Sequence, residues 1–444
     1  MSLPNLLQDV AFLLCVVLLA EPLGAYMERV FERKPTFPDR VLVPVESFLH
    51  RTLGVDPNEE MSWSEYALAF TLFSACGCLL VYGLLRLQRF FPWYVASAMT
   101  TPMTPDLAFN TAVSFSTTAT WQAYAGETTM SPWSQLVALA SQNFLAGAAG
   151  LSVGMAFLRG LAREKSRGLG NFWSDLVRSV LWILLPLSLA GAVFLAAQGV
   201  PANVRPPVHV RTLEGATQIV SQGLVAPFEI IKNLGTNGGG YFNANGAHPY
   251  EAPTPLANFV LLLSITAIPA ALTHTFGRML GRPRQGRVLF WVMTAIFAAG
   301  LVVCQVAEAR GSLALQTAGL RDAPNLEGKE TRFGVGASVL GTVATSNGAT
   351  GSSNSMLDSS TPIGGLVPLF NMLLGEVAFG GLGTGIMGLL LVGFLGLFAA
   401  GLMVGKTPEY AGKTIGVTEM KLVMLPLLAA PLAILIPTDR KSVV

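Results

Sequence analysis

Three short stretches of small, neutral, oxygen-bearing residues carry the clearest chemical signal in the chain: Ser116-Thr-Thr-Ala-Thr-Trp121, Leu234-Gly-Thr-Asn-Gly-Gly-Gly240 and Thr345-Ser-Asn-Gly-Ala-Thr350. A dehydrated monovalent cation needs several oxygens at close range. Backbone carbonyls supply them only where the chain runs extended with its C=O groups turned towards a common axis. Glycine and other small residues permit that backbone, and Asn and Thr side chains support it or add oxygens of their own. None of the three stretches contains a carboxylate. That disfavours calcium and magnesium and favours a weakly hydrated monovalent ion held by neutral dipoles.

Such loops need rigid elements on both sides. The 444 residues are 52% hydrophobic and 12% charged, about half the charge of a soluble domain, so the length divides into membrane spans. Apolar runs long enough to cross a bilayer lie near Leu3–Tyr26, Tyr66–Leu87, Leu136–Leu158, Leu176–Ala197, Leu256–Phe276, Val288–Ala307, Ile386–Met403 and Val423–Ile436. Leu6–Ala20 lacks a basic leader and a small-residue cleavage site, so it reads as a retained first helix. The formal charge of +2 gives no reason to expect nucleic acid. Cys15, Cys76, Cys78 and Cys304 all sit in apolar runs and read as packed or lipid-facing thiols. His50, His209 and His248 read as loop residues and His274 as a cytoplasmic helix end.

Basic residues bunch at Arg159–Arg167, at Arg278, Arg282, Arg284 and Arg287, and at Lys406, Lys413 and Lys421, which the positive-inside rule assigns to the cytoplasm. Between these loops lie paired spans and one long outward connection. Each connection holds a short helix-like stretch, Asp106–Phe115, Gly223–Leu234 or Phe333–Ala344, followed by one of the three motifs. Thr118, Thr236 and Asn347 taken as matching points lie 118 and 111 residues apart. The pattern is a domain-sized repeat of span, pore helix, loop and span. It divides the chain into an N-terminal extra helix and cytoplasmic loop (1–60), three pore repeats (61–168, 169–284, 285–412) and the start of a fourth (413–444).

The string Leu234-Gly-Thr-Asn-Gly-Gly-Gly-Tyr-Phe-Asn-Ala-Asn-Gly-Ala-His-Pro-Tyr-Glu251 closely resembles the potassium-binding subunits of Kdp-type potassium-transporting ATPases. Further matches are Asn110–Phe115, Trp121–Glu127, Gln142–Phe144, Asn325–Glu330, Gly375–Gly381 and Lys406–Lys413, so the resemblance runs from the first helix to about Ile436. It implies an all-α polytopic fold of the potassium-transporter superfamily, in which four span–pore–span repeats surround one filter. Potassium is the implied ion and the bacterial inner membrane the implied location. A P-type ATPase catalytic subunit and small accessory membrane subunits are the implied partners. By motif, the filter positions would be Thr117, Thr118, Ala119 and Thr120, then Thr236, Asn237, Gly238 and Gly239, then Ser346, Asn347 and Gly348. Where this chain has Thr118 and Thr120 the family commonly has Asn, and where it has Leu357-Asp-Ser-Ser360 the family has His-Asp-Ser-Phe, so any role of that His is absent here.

Glu376 beside apolar Val377-Ala-Phe379 is costly in lipid without a partner, and Gly380-Gly-Leu-Gly-Thr-Gly385 interrupts any helix. Gly364–Met403 is therefore expected to be a broken span, and in the superfamily such a loop below the filter gates ion passage. Glu376, Gly380, Gly381, Gly383 and Gly385 are the expected gate. No Asp-Lys-Thr-Gly phosphorylation site is present, and Gly405–Thr414 spaces its glycines too widely for a phosphate-binding loop. ATP hydrolysis by this chain alone is not expected. Alternatives are a related potassium channel or symporter subunit with a nucleotide-gated regulator, or a non-conducting remnant. A ring of four loops would place the fourth beyond Val444, and the tail Asp439-Arg-Lys-Ser-Val-Val444 is unlike the family, which points to a truncated chain.

Overall fold

In the computed structural model, which describes residues 2–163, 168–312, 316–317, 319 and 323–441, eight helices are long and apolar enough to cross a membrane. Lys165 and Arg167 of the first basic loop, and Ser442–Val444 of the tail, lie outside the described residues. In chain order the helices are α1 (Leu3–Phe31), α2 (Asp39–Leu53), α3 (Trp63–Arg86), α4 (Pro105–Ser116), α5 (Pro132–Ala162), α6 (Phe172–Ala197), α7 (Val225–Leu234), α8 (Pro255–Met279), α9 (Pro283–Ala309), α10 (Gly334–Asn347), α11 (Pro362–Leu373), α12 (Thr384–Val404) and α13 (Val417–Lys441). Strands among the described residues form two small hairpins, β1 (Val208–Arg211) with β2 (Thr217–Val220) and β3 (Glu409–Tyr410) with β4 (Lys413–Thr414). The chain is a multi-pass α-helical membrane protein, as its apolar runs imply.

The short helices α4, α7 and α10 each fall between two spans, and the helix that follows each of them starts the same way. Ser131-Pro132, Thr254-Pro255 and Thr361-Pro362 open α5, α8 and α11. In each pair the hydroxyl accepts a backbone N–H of the first turn, from Ser134 (3.1 Å), Ala257 (3.0 Å) and Gly364 (3.1 Å). The following proline has no N–H to leave unpaired and a φ already set for helix. These caps fix where the chain turns back into the bundle.

Burial separates the helices into inner and outer ones. Within an 18-residue apolar stretch, 78% of α8 and 61% of α5 are buried, against 39% or less in the other six spans. α8 and α5 therefore line the centre, and the apolar surfaces of the remainder face lipid. Helix α1 lies along α8, where Gly24 lets the two backbones touch: a Cβ built there would sit 2.6 Å from Ala271 O and 2.7 Å from His274 Cβ. Thr275 Oγ1 donates to Gly24 O at the same crossing (3.1 Å). Phe12 of α1 then fills the space between Phe259 and Phe297, with ring centroids at 5.7 and 5.9 Å.

The basic loops are tied to one another. Lys413 Nζ donates to Gly160 O (2.6 Å), and Met61 and Gly170 share a backbone bond (2.8 Å). Arg159 pairs with Asp175 (3.0 Å) and Arg178 with Glu46 (2.7 Å) at the same end. Three expectations need correction. The segment after α1 is not only loop but contains α2, which ends at Gly54 in the left-handed region (φ 65°). His50 accordingly lies buried in α2, and its burial holds the imidazole below its usual range. His209 lies in β1 rather than in a loop. The amphipathic face of α2 was masked in the sequence by Pro44 and by the charged and polar residues interleaved with its apolar ones.

Gly24→Leu should force α1 off α8 at a cost of about 1–3 kcal/mol, the usual range for overpacking. Gly393→Leu, on a face of α12 with nothing within 4 Å, should cost little. Melting temperatures of the detergent-solubilised chain measure both, and equal values for the two variants would contradict the crossing described.

Candidate functional site

The three motifs meet in space, and they do so with one backbone conformation. Each begins where a short helix stops. The first residue beyond α4, α7 and α10 is right-handed, with φ −95° at Thr117, −73° at Gly235 and −79° at Gly348. The second is left-handed, with φ 63° at Thr118, 51° at Thr236 and 45° at Ala349. The fourth is left-handed again, with φ 48° at Thr120, 91° at Gly238 and 67° at Gly351. Alternating handedness gathers successive N–H groups on one side of the ribbon and leaves the carbonyls on the other.

The hydrogen bonds agree with that geometry. Thr120 N donates to Ser114 O (3.0 Å), Asn237 N and Gly238 N to Lys232 O (3.1 and 3.4 Å), and Thr350 N to Thr345 O (3.0 Å). In all three repeats the acceptor lies two residues before the last helical residue. These loop N–H groups are thus turned back on the helix end. The helix C-termini point into the same region, where their partial negative charge favours a cation.

This alignment shifts the third loop. Ser346 and Asn347, expected as filter positions, lie in the last turn of α10, and Gly348 caps it. The residues matching Thr118 and Thr120 are Ala349 and Gly351, so the matching point moves from Asn347 to Ala349. Helix α10 runs to Asn347, whose amide donates to Val343 O (2.9 Å) within it. Asn371 of α11 buttresses Ser346 (3.0 Å) from outside.

Contacts between the loops are direct. Thr120 Oγ1 donates to Asn237 O. A Cβ on Gly238 would overlap Thr350 O and come 3.0 Å from Thr120 Oγ1, which places one residue of each loop around a single point. Asn143 of α5 donates to Gly238 O (3.1 Å), and Gln135 of α5 to Tyr241 O (2.9 Å). Gln135 starts a π-helical turn, a widening that commonly re-aims side chains at functional places. With its amide nitrogen turned to the carbonyls, Asn237 donates to Asn143 O and Gly235 O, both at 3.2 Å. Thr236, Asn237 and Thr350 are buried, whereas Thr117, Thr118 and Ala119 are exposed.

Above the meeting point lies a cavity of about 230 Å³ walled by Ala119, Thr120, Gly239, Asn245, Thr350 and others, none of them charged. Beside it His248 stacks on Phe242 at 3.8 Å and accepts Tyr250 N–H at Nδ1 (3.1 Å). Burial holds this imidazole below its usual range, which favours its neutral form. A larger cavity of about 460 Å³ at the end carrying the basic loops includes Arg159, Arg163 and Arg178. Each is paired with a carboxylate, and the cavity is remote from the loops.

The expected gate residues lie against the third loop. Between α11 and α12 the chain turns on Glu376 (φ 61°), Gly381 (φ 53°) and Gly383 (φ 125°). A Cβ on Gly380 would meet Asn347 O at 2.6 Å, and one on Gly154 of α5 would meet Gly383 Cα at 3.0 Å. Gly385 N donates to Gly380 O (2.8 Å), closing the turn. The break is therefore wedged between α10 and α5, next to the short helix that carries the third motif.

Sequence reasoning did not single out Asn143, Gln122, Lys232 or Glu251, although each bonds a loop: Gln122 Oε1 accepts Gly240 N (2.8 Å), and Glu251 Oε1 accepts Phe242 N (2.8 Å). Their signal was a polar or charged residue in an apolar helix, or one beside a glycine run.

The family model of the potassium-transporting ATPase A subunit matches residues 10–444. The chain is 48% identical over 436 residues to a potassium-transporting ATPase potassium-binding subunit from Rhodospirillum centenum, covering 98% of this chain and 76% of that protein. Proteins of the same name from Granulibacter bethesdensis and Solibacter usitatus are each 48% identical over 425 and 435 residues, covering 96% and 98% of this chain and 74% and 76% of theirs.

Gly238→Ala should destabilise the loops far more than Gly351→Ala. Both glycines are left-handed and each substitution incurs about 1 kcal/mol for that, but only at Gly238 does the added methyl meet another loop, while Gly351 has nothing within 4 Å. Thermal melting of the two variants in detergent reads the difference, and similar losses would contradict the convergence on Gly238.

Proposed function

The chain belongs to the potassium-transporting ATPase A subunit family, and from that premise we propose that it binds potassium for an ATP-driven uptake pump in a carbonyl-lined filter. The filter is built from Thr117–Thr120, from Thr236–Gly239 and from the third loop beyond α10, where Gly348–Gly351 take the place expected for Ser346–Gly348. The observation that carries this reading is the shared left-handed pair in each loop, Thr118 with Thr120, Thr236 with Gly238 and Ala349 with Gly351. Three ribbons with N–H groups turned back on helix ends leave carbonyls for an ion, and the absence of charge on the cavity wall suits a weakly hydrated monovalent ion.

Outward exposure of the loops, with the Arg and Lys loops in the cytoplasm, lets potassium enter from outside. The broken segment 374–383, with Glu376, Gly380, Gly381, Gly383 and Gly385, acts as a gate because it abuts the end of α10 and can move without unwinding a span. Energy comes from a separate P-type ATPase catalytic subunit in the same complex, together with small accessory membrane subunits. The names of the relatives, which are subunits of a potassium-transporting ATPase, support that division of labour.

Two outcomes test the proposal. Gly238→Asp places a carboxylate and a side chain into a site of neutral carbonyls. In the assembled complex it should abolish uptake or weaken discrimination of potassium from rubidium and sodium, as measured by ion-stimulated ATPase activity, and unchanged selectivity removes the second loop from the filter. Purified alone, the chain should hydrolyse no ATP in response to potassium. Potassium-stimulated hydrolysis that persists after every other ATPase has been removed would overturn the assignment of the energy source to a partner.

A further inference from the structure

In each repeat one residue closes the loop through its carbonyl, and these residues are Ser114, Lys232 and Thr345. Their side chains differ sharply. Ser114 Oγ donates to Trp121 O (3.0 Å), just past its own loop. Thr345 Oγ1 is buried without a partner among the described residues. Lys232 is a full cation with no solvent exposure, set in the last turn of a helix aimed at the proposed ion site.

Lys232 spans the whole second loop. Its carbonyl takes Asn237 N–H and Gly238 N–H on the incoming limb. Its ammonium donates to Asn245 Oδ1 and Glu251 Oε2 on the outgoing limb, both at 2.7 Å, and pairs with Glu229 Oε2 one turn back at 2.8 Å. Glu251 in turn takes Phe242 N–H through its other oxygen (2.8 Å). Both carboxylates are as fully buried as the lysine. An isolated ammonium here would repel a cation in the loop, because charges interact strongly where water is excluded. The adjoining Glu251 carboxylate offsets that repulsion, so Lys232 can serve as a strut without opposing the ion.

We infer that Lys232, held by Glu229 and Glu251, is a positioning residue that sets the spacing of the second loop's carbonyls and thereby the loop's preference among monovalent cations. The inference rests on the filter reading above. It assigns a selectivity role to residues that cannot touch the ion. Loosening the strut lets the loop relax around a larger or smaller ion, so discrimination falls before turnover does.

Lys232→Met keeps the length of the stem and removes the charge. In the assembled complex it should raise the potassium concentration for half-maximal ATPase stimulation roughly tenfold, the scale of a lost charge-assisted contact. The ratio of that value to the one for rubidium should move towards unity, and kcat at saturating potassium should be largely kept. Glu251→Gln, which retains both shape and an acceptor for Phe242, should shift the same two quantities in the same direction by less, and it decides the matter if Lys232→Met does not assemble. A purely structural role would lower the yield of complex and leave KM and the rubidium ratio unchanged, and that result overturns the inference. Absence of potassium stimulation in the unmodified complex would instead overturn the filter reading itself.

Discussion

Backbone that leaves regular structure among membrane-crossing helices must still satisfy its peptide groups, since each one left unpaired away from water costs several kcal/mol. In this chain the constraint is met three times by one bond, from the loop to the carbonyl two residues before the end of a short helix: Ser114, Lys232 and Thr345. That bond engages one N–H of the first and third loops and two of the second. Loop carbonyls that no backbone N–H engages are what a bound cation requires, and solvent or another protein group would otherwise have to meet them. The Ser/Thr-Pro caps of α5, α8 and α11, the inner position of α5 and α8, and the crossing at Gly24 all serve to hold three such loops at one point.

The loops are not equivalent. The first relies on exposed Thr117–Ala119 and a hydroxyl from Thr120 to its neighbour; the second is buried throughout and braced by a charged network; the third is supported by α11 and the break after it. Asn237 O and Gly238 O already accept from Thr120 and Asn143. An ion entering at those oxygens competes with protein donors of moderate strength, so the second loop exchanges one set of dipoles for another and does not open an empty cage. The departure from Asn at Thr118 and Thr120 has a local rationale at one position. Thr120 is short enough to bond Asn237 O across the repeat boundary. Nothing in the structure explains the change at Thr118, whose hydroxyl donates to Thr117 O (2.6 Å).

Spans and short helices were legible in the sequence because long apolar runs and Gly/Thr/Asn punctuation are local signals, and each of the eight apolar runs became a helix. The motifs were legible for the same reason. Where the third loop begins was not, because α10 continues through Ser346 and Asn347 and the left-handed φ falls at Ala349, a residue type that seldom adopts one. The Lys232 network was hidden by distance: Glu251 lies 19 residues beyond its partner. A lysine three residues after Glu229 in an apolar helix reads as an ordinary surface pair until burial shows otherwise. Helix α2 was hidden because an internal proline and interleaved charged residues resemble a loop.

The central claim is that the three left-handed loops form one ion site. Anomalous scattering from crystals of the assembled complex grown with thallium, which replaces potassium in carbonyl sites, tests it most directly. The account predicts a peak bounded by the carbonyls of Thr118–Thr120, Thr236–Gly238 and Ala349–Gly351. Ordered loops with no peak between them, and bound thallium elsewhere in the chain, would contradict it.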